Sequence, residues 1–292
     1  MFVQFKQSMD DKSRIFINTN HLLFKMEYSQ KKQLFGGVTE IVLYDIDNAI
    51  AQDLVSKAYD EAKRLGKIFS FYDKKSELSL LNKNRKIIAS KELLEVIKKA
   101  KKYSNKDYDI SLGKTIRQRK LGLKEIKKGS FKDIEISNNK ITLKSDIKLD
   151  LGSIAKGYIV DKIADFLKAQ GVISGLIDGR GDIVVFGQEH IINIQHPRKN
   201  AYIGEIKLKN QAVATSGDYN QFIQSYDKSH IINKDAISVT VVADNLTDAD
   251  LFATLLMVSD NRTHLLDKRI DIKAMVIDTN MQIQYYNGFE DL

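Results

Sequence analysis

Apolar residues fall in two rhythms along this chain. Alternation with a period of two marks strands at Val38 to Asp45 (VTEIVLYD), Ile191 to Gln195, Gly204 to Leu208, Ala212 to Tyr219, within 229–242, and in the closing segment IKAMVIDTNMQIQYY, which reads as a hairpin. Residues 134–151 read as a further hairpin, with its turn at Asn138-Asn139. Spacings of three and four mark helices. Ile50, Leu54, Ala58 and Leu65 form one stripe over Ala49 to Leu65, capped by Asp47 or Asn48 and ended by Gly66. Ser90 opens a second helix through Leu93, Leu94, Ile97 and Ala100, and Ser76 or Asp73 caps a short helical turn before it. Thr247 caps a third that begins near Asp248 and carries Leu251, Leu255, Leu256 and Val258. Strands outnumber helices, and no regular βαβ series appears. The expected fold class is α+β, with mixed or antiparallel sheets packed against helices in a single domain. Residues 1–28 alternate poorly, so 1–35 is set apart as an N-terminal extension and 36–292 as the domain, with room for two interwoven subdomains.

The densest pattern is LDLGSIAKGYIVDKIADFLKAQGVISGLIDGRGDIVVFG, residues 149–187. A strand ends at Asp150-Leu151, and Ser153 to Gly157 form a small-residue turn that contains Lys156. A helix with Ile159, Ile163, Phe166 and Leu167 follows, and Gly171 stops it. The strand Ser174 to Ile177 then enters the tight turn Asp178-Gly179-Arg180-Gly181-Asp182 and leaves as the strand Ile183 to Phe186. Two readings stand for the first turn. Its backbone N–H groups could cradle phosphate oxygens, or Gly152 and Gly157 could simply permit close helix–strand packing.

Composition removes several chemistries. The chain has no cysteine, which excludes disulfides, thiolate metal sites and a catalytic thiol, so any metal must be held by oxygen or histidine. A net charge of +8 could attract anions or nucleic acid, but the lysines are scattered among acids with no aromatic-interleaved basic stripe, and no nucleic-acid partner is expected. No apolar run is long enough to span a membrane, and the first residues hold no signal-peptide core.

The remaining candidates are oxygen donors and one histidine. Asp250 and Thr254 lie four apart on one helical face and together suit Mg²⁺, although Asp250 could equally serve its own helix start. Thr215, Ser216, Gly217 and Asp218 crowd hydroxyls, a flexible backbone and a carboxylate into one turn. His230 falls between that turn and the Asp250 helix. No nucleophile elbow surrounds Ser216, and GxGxxG is absent, so neither a serine hydrolase nor a Rossmann dinucleotide site is supported.

Seven segments in order, SFYDKKSELSLLN (70–82), YDISLG (108–113), LDLGSIAKGYIVD (149–161), DGRGD (178–182), VATSGDY (213–219), HIIN (230–233) and TDADLFATLLM (247–257), resemble the FAD:protein FMN transferase (ApbE) family. The resemblance runs from Gly36 to the C-terminus and implies an ApbE-like, T-fold-related domain with the active site between its subdomains. It implies an enzyme that binds FAD and Mg²⁺, cleaves the FAD pyrophosphate, attaches FMN to a Thr or Ser hydroxyl of an acceptor flavoprotein and releases AMP. By matched motif, the metal ligands would be the Ala155 carbonyl, Asp250 and Thr254, and His230 would be the base toward the acceptor hydroxyl, with Asp250 the second catalytic residue. Lys156, Asp178, Gly179, Asp182, Asp109 and the turn Thr215, Ser216, Gly217, Asp218 would line the FAD site, with Tyr72 and Glu77 near its entrance. An FAD pyrophosphatase releasing FMN and AMP to water, or a non-catalytic FAD-binding protein, would use the same pocket.

Three positions depart from the family pattern. Arg180 replaces a second glycine, Phe71 replaces the threonine before Tyr72, and Lys234 replaces a proline. Many members of the family are exported lipoproteins, whereas this chain shows neither signal nor lipidatable cysteine, so a cytoplasmic location is expected.

Overall fold

The structure, a computed structural model, describes residues 26–113, 115, 129–218 and 235–292, and the backbone of 222–223 and 225–229. His230, Lys234, Tyr219, Arg117, Arg119, Lys120 and most of the poorly alternating N-terminal stretch lie outside the described residues. In chain order the first strands are β1 (Glu27–Leu34), β2 (Gly37–Tyr44), β3 (Lys86–Ile88), β4 (Ile134–Ser137), β5 (Lys140–Leu143), β6 (Gly175–Asp178), β7 (Ile183–Phe186) and β8 (His190–Gln195). They are followed by β9 (Tyr202–Leu208), β10 (Gln211–Gly217), β11 (Phe222–Ile223), β12 (Ser225–Ser229), β13 (Ala236–Ala243), β14 (Lys273–Asp278) and β15 (Ile283–Tyr286). The helices are α1 (Asn48–Phe69), α2 (Glu77–Asn84), α3 (Lys91–Tyr103), α4 (Ala155–Ala169), α5 (Leu246–Val258) and α6 (Arg262–Leu266).

Eight strands form one antiparallel sheet in the order β1-β2-β6-β7-β10-β13-β14-β15. The fold is α+β. Successive side chains point to opposite faces of the sheet, and each face is covered by a different layer. Ile41, Leu43, Ile177, Ala214, Val239 and Val276 face the helical layer that includes α1, α4 and α5. Val42, Leu176, Val185, Val213, Val242 and Ile277 face the β8–β9 hairpin, which supplies Ile192, Ile194, Ile206 and Leu208. A smaller antiparallel sheet, β3-β5-β4, lies beside α2. Residues 27–34, grouped by their sequence with the N-terminal extension, form the edge strand β1 and pair along their whole length with β2.

Four boundaries differ from expectation, each for a local reason. Helix α1 runs through Gly66 to Phe69, because Ile68 and Phe69 still bury against the core. The 134–151 hairpin ends at Leu143, and beyond it Lys148 bridges Leu112 in parallel. Helix α4 begins at Ala155, so Lys156 and Gly157 belong to its first turn rather than to a loop before it. Helix α5 begins at Leu246 and is capped by Asn245, whose side chain accepts from the Asp248 amide, so Thr247 is not the cap. The Thr247 hydroxyl instead donates to Asp161 Oδ2 at 2.5 Å.

Helix α5 is apolar all round and lies inside the molecule, as that pattern requires. Each fully buried Leu or Phe on it contributes about 1.5–3 kcal/mol relative to exposure. Its polar side chains must then find partners within the protein. Asp248 takes the Lys99 ammonium at 2.9 Å, the Arg269 guanidinium at 3.3 Å and the Asn245 amide at 3.1 Å. Burial pushes the Asp248 carboxyl up, but Lys99 and Arg269 outweigh it and hold the group below its usual range. Its contribution to stability is therefore complete above the unfolded carboxylate value and is lost as pH falls through the lower folded-state value. Asp248→Asn is expected to cost about 2 kcal/mol near neutrality and to flatten the acid limb of stability below about pH 4. Chemical denaturation across that range checks it, and parallel acid limbs in the two proteins would contradict it.

Candidate active site

Helix α4 starts without a side-chain cap, since Ile154 occupies the cap position. The Ala155 amide donates to the Leu151 carbonyl at 2.8 Å, and the next first-turn amides need a partner from another element. Asp250, one turn into α5, provides one: its Oδ2 accepts from Gly157 N at 3.0 Å. The carboxylate does not serve its own helix start; it closes the start of the neighbouring helix, where the dipole favours negative charge. Gly157 makes the approach possible. A Cβ there would lie 2.8 Å from the Leu246 carbonyl carbon, 2.9 Å from Asp250 Cβ, and closer still to the Leu246 oxygen. The glycine thus permits close packing, but between two helices rather than helix and strand.

From this contact a ring of polar interactions extends through five elements. Lys156, beside Gly157, forms an ion pair with Asp182 in the β6–β7 turn. The other Asp182 oxygen accepts from the Thr215 amide on β10 at 3.1 Å. Thr215 Oγ1 meets Thr240 Oγ1 of β13 at 2.9 Å, and Ser216 Oγ meets Thr254 Oγ1 of α5 at 3.2 Å. Thr254 lies one turn beyond Asp250, which closes the ring. Burial pushes the Lys156 ammonium toward deprotonation and Arg180 adds to this, while Asp250 and Asp178 oppose it. Asp178 itself is pushed up by burial, and its Oδ1 accepts from Gly181 N at 2.5 Å.

Asp250 is the unusual member. It is 6% exposed, and among the described residues it has one hydrogen-bond donor, Gly157 N, and no ion-pair partner. Lys156 attracts it but is itself paired with Asp182, and a buried carboxylate with so few partners is favoured by a further cation. Thr254, one turn on along α5, offers a hydroxyl, and the first turn of α4 carries the Ala155 carbonyl beside Lys156; oxygen donors of this kind suit a hard divalent ion held by one protein carboxylate. Among the described residues no group of three or more acidic or histidine side chains could hold a metal, so a cation here would rely on carbonyl and hydroxyl oxygen as well.

The other expected residues separate into two groups. Gly179 lies in the β6–β7 turn, where its N–H donates to the Asp182 carbonyl at 2.8 Å, and Gly217 ends β10. Asp109, Glu77 and Asp218 are already engaged within the protein. Asp109 accepts from the amides of Ser111 at 2.8 Å and Phe131 at 3.1 Å, which pins the 108–113 segment. Glu77 accepts from Ser90 N at 2.6 Å and ties α2 to the start of α3. Asp218 holds Arg198 through two 2.7 Å bonds. Tyr72 is 71% exposed and stands edge-on to Phe71 at 5.5 Å.

Supporting residues lie inside the motif segments without having been singled out. Asn82 binds both backbone groups of Leu149, at 2.9 and 2.7 Å, and Tyr108 meets Ser153 at 2.8 Å. These contacts hold the approach to α4, and the cue was a polar residue at the end of an otherwise apolar stripe. Arg180 has φ +70 and Gly181 φ +88. Two successive positive values mark a mirror-image hairpin turn, in which an L-residue at the first position costs about 1–2 kcal/mol. The preference for glycine at 180 is thus a backbone preference.

A tight methyl at the helix crossing gives a direct test. Gly157→Ala is expected to destabilise by about 1–3 kcal/mol through overpacking. Gly66→Ala, where a Cβ meets nothing within 4 Å, is expected to stabilise helix α1, by about 0.5–1 kcal/mol. Urea unfolding of both proteins checks the pair, and an equal response at the two sites would contradict the crossing.

Known proteins share this fold. The ApbE family model matches residues 35–276. An FAD:protein FMN transferase of Klebsiella pneumoniae is 25% identical over 88% of this chain and 90% of its own length. One of Vibrio cholerae is 34% identical over 40% of this chain and 41% of its own length. Among solved structures, the ApbE protein of Thermotoga maritima superimposes with TM-score 0.81 at 20% identity, covering 91% of this chain and 98% of that one. The apo flavinyl transferase ApbE of Pseudomonas stutzeri gives TM-score 0.79 at 21% identity, covering 93% and 98%. With the family pattern spanning both halves of the polar ring, from the β1–β2 turn to β14, this chain belongs to the ApbE family.

Proposed function

We propose that this protein is a Mg²⁺-dependent FAD:protein FMN transferase. It takes FAD and an acceptor flavoprotein, joins FMN to a Thr or Ser hydroxyl of the acceptor, and releases AMP. The observation that carries the reading is the buried Asp250 carboxylate, without an ion-pair partner among the described residues, beside the Lys156–Asp182 pair in an ApbE-family chain. The names of the relatives support the substrate class.

The chemistry forms a bond from the acceptor hydroxyl oxygen to the flavin-side phosphorus and breaks the bond from that phosphorus to the AMP oxygen. The acceptor proton passes to a base. Asp250, Thr254 and the Ala155 carbonyl would hold Mg²⁺, which when bound would neutralise charge on the pyrophosphate oxygens. Lys156, held by Asp182, stands within the same ring and would contact a phosphate oxygen as a compact cation. The β6–β7 turn, with Asp178, Gly179 and Asp182, and the Thr215–Asp218 segment would flank the flavin half. His230, outside the described residues, is proposed as the base because its HIIN segment keeps the family order between VATSGDY and TDADLFATLLM. A histidine suits that role near neutral pH.

The test is incubation with FAD, Mg²⁺ and a flavoprotein bearing a candidate acceptor threonine, read by intact mass. Covalent FMN on the acceptor is the expected result. Free FMN and AMP without acceptor labelling would point to a pyrophosphatase, and unchanged bound FAD to a binding protein. Asp250→Asn is expected to abolish Mg²⁺-dependent turnover. His230→Ala is expected to slow transfer by about 100-fold or more with FAD affinity largely kept, and a defect in affinity alone would remove His230 from the base role.

A further inference from the structure

Arg180 occupies a turn position whose backbone suits glycine, and its side chain does something a glycine cannot. Two hairpin turns lie side by side at one end of the main sheet. The β1–β2 turn passes through Phe35 at φ +55 and Gly36 at φ +77, and the β6–β7 turn through Arg180 and Gly181. Pairing of β2 with β6, with Glu40 opposite Asp178, brings the two turns together. Arg180 then reaches back across the first turn, and its Nη1 donates to the Phe35 carbonyl at 2.8 Å. Gly37 makes the room: a Cβ there would sit 2.8 Å from Arg180 Cδ and closer still to Nε. The arginine at 180 and the glycine at 37 are two halves of one contact.

The turn that Arg180 anchors is the one that matters for the polar ring. It carries Asp178 and Asp182, and Asp182 joins Lys156 to the Thr215 amide. We propose that Arg180 is a positioning residue for the flavin site. It latches the Phe35–Gly37 turn onto the Asp178–Asp182 turn and so fixes the carboxylate that orients Lys156 toward the substrate phosphates. The proposal rests on the reading of this pocket as the FAD site. Arg180 is exposed and its guanidinium makes one hydrogen bond among the described residues, so its effect is modest rather than all-or-none.

Three variants test it. Arg180→Gly suits the left-handed backbone and keeps the turn. Gly37→Ala leaves the arginine in place but closes its seat. Arg180→Lys retains a single donor. Two readouts are taken on the full chain: hydrogen exchange of the Gly37 and Gly181 amides in the free protein, and FAD affinity by calorimetry with Mg²⁺ present. Arg180→Gly and Gly37→Ala are each expected to speed exchange in both turns and to weaken FAD binding, by about five-fold. The double variant is expected to be no worse than either single one, and lysine to recover part of the loss. Unchanged exchange in Arg180→Gly would overturn the latch. Faster exchange with unaltered FAD affinity would confine Arg180 to turn stability and overturn the positioning role. If the wild-type chain binds no FAD, the pocket reading fails, and the exchange data alone judge the latch.

Discussion

The hydrogen bond from Gly157 N to Asp250 Oδ2 is the contact on which the site depends. It solves a problem of helix physics, the uncapped start of α4, with a carboxylate from another helix. Doing so brings the first turn of α4, with Ala155 and Lys156, against the middle of the buried helix α5. That crossing needs a glycine at 157, because the Leu246 carbonyl occupies the space a side chain would take. One structural constraint thus brings the first turn of α4, with its lysine, against Asp250.

The rest of α5 shows how polar chemistry is kept inside an apolar layer. Thr247 is held by Asp161, which also accepts from the Leu246 amide at 2.8 Å and the Thr247 amide at 2.7 Å. Asp248 is neutralised by Lys99 and Arg269. Thr254 shares its hydroxyl with Ser216. Against these partnered neighbours, Asp250 stands out because among the described residues it has no ion-pair partner, and Lys156, which it attracts, is paired with Asp182 instead. A binding reading grows from that contrast, since the same helix shows that buried charge here is otherwise matched.

Much of the fold was legible in the sequence because both faces of the main sheet are buried by different layers. Apolar strands such as β2, β7 and β13 therefore stood out between polar turns, and Ser90 and Asp47 announced helix starts through their caps. What local pattern could not show was decided by tertiary contact. Gly66 looked like a stop, but burial of Ile68 and Phe69 carries α1 through it. Thr247 looked like a cap, but Asp161 claims its hydroxyl and Asn245 caps instead. Asp250 and Thr254 were legible as a shared helical face, whereas the capping of α4 by Asp250 joins residues 93 apart and has no local signature. Asp109, Glu77 and Asp218 were drawn to the site by their motifs, yet their carboxylates are held by backbone amides or by Arg198. Arg180 was legible only as a departure, and its meaning appears when Gly37 is seen beneath it.

The central claim is that Asp250 both closes α4 and provides the one carboxylate of a hard-cation site. Anomalous diffraction from crystals soaked with Mn²⁺, which prefers the same oxygen ligands as Mg²⁺, tests it most directly. The account predicts a single strong peak bounded by the Asp250 carboxylate, the Thr254 hydroxyl and the Ala155 carbonyl, with the Gly157 hydrogen bond intact. A peak at another carboxylate, or none at Asp250 under saturating metal, would contradict it.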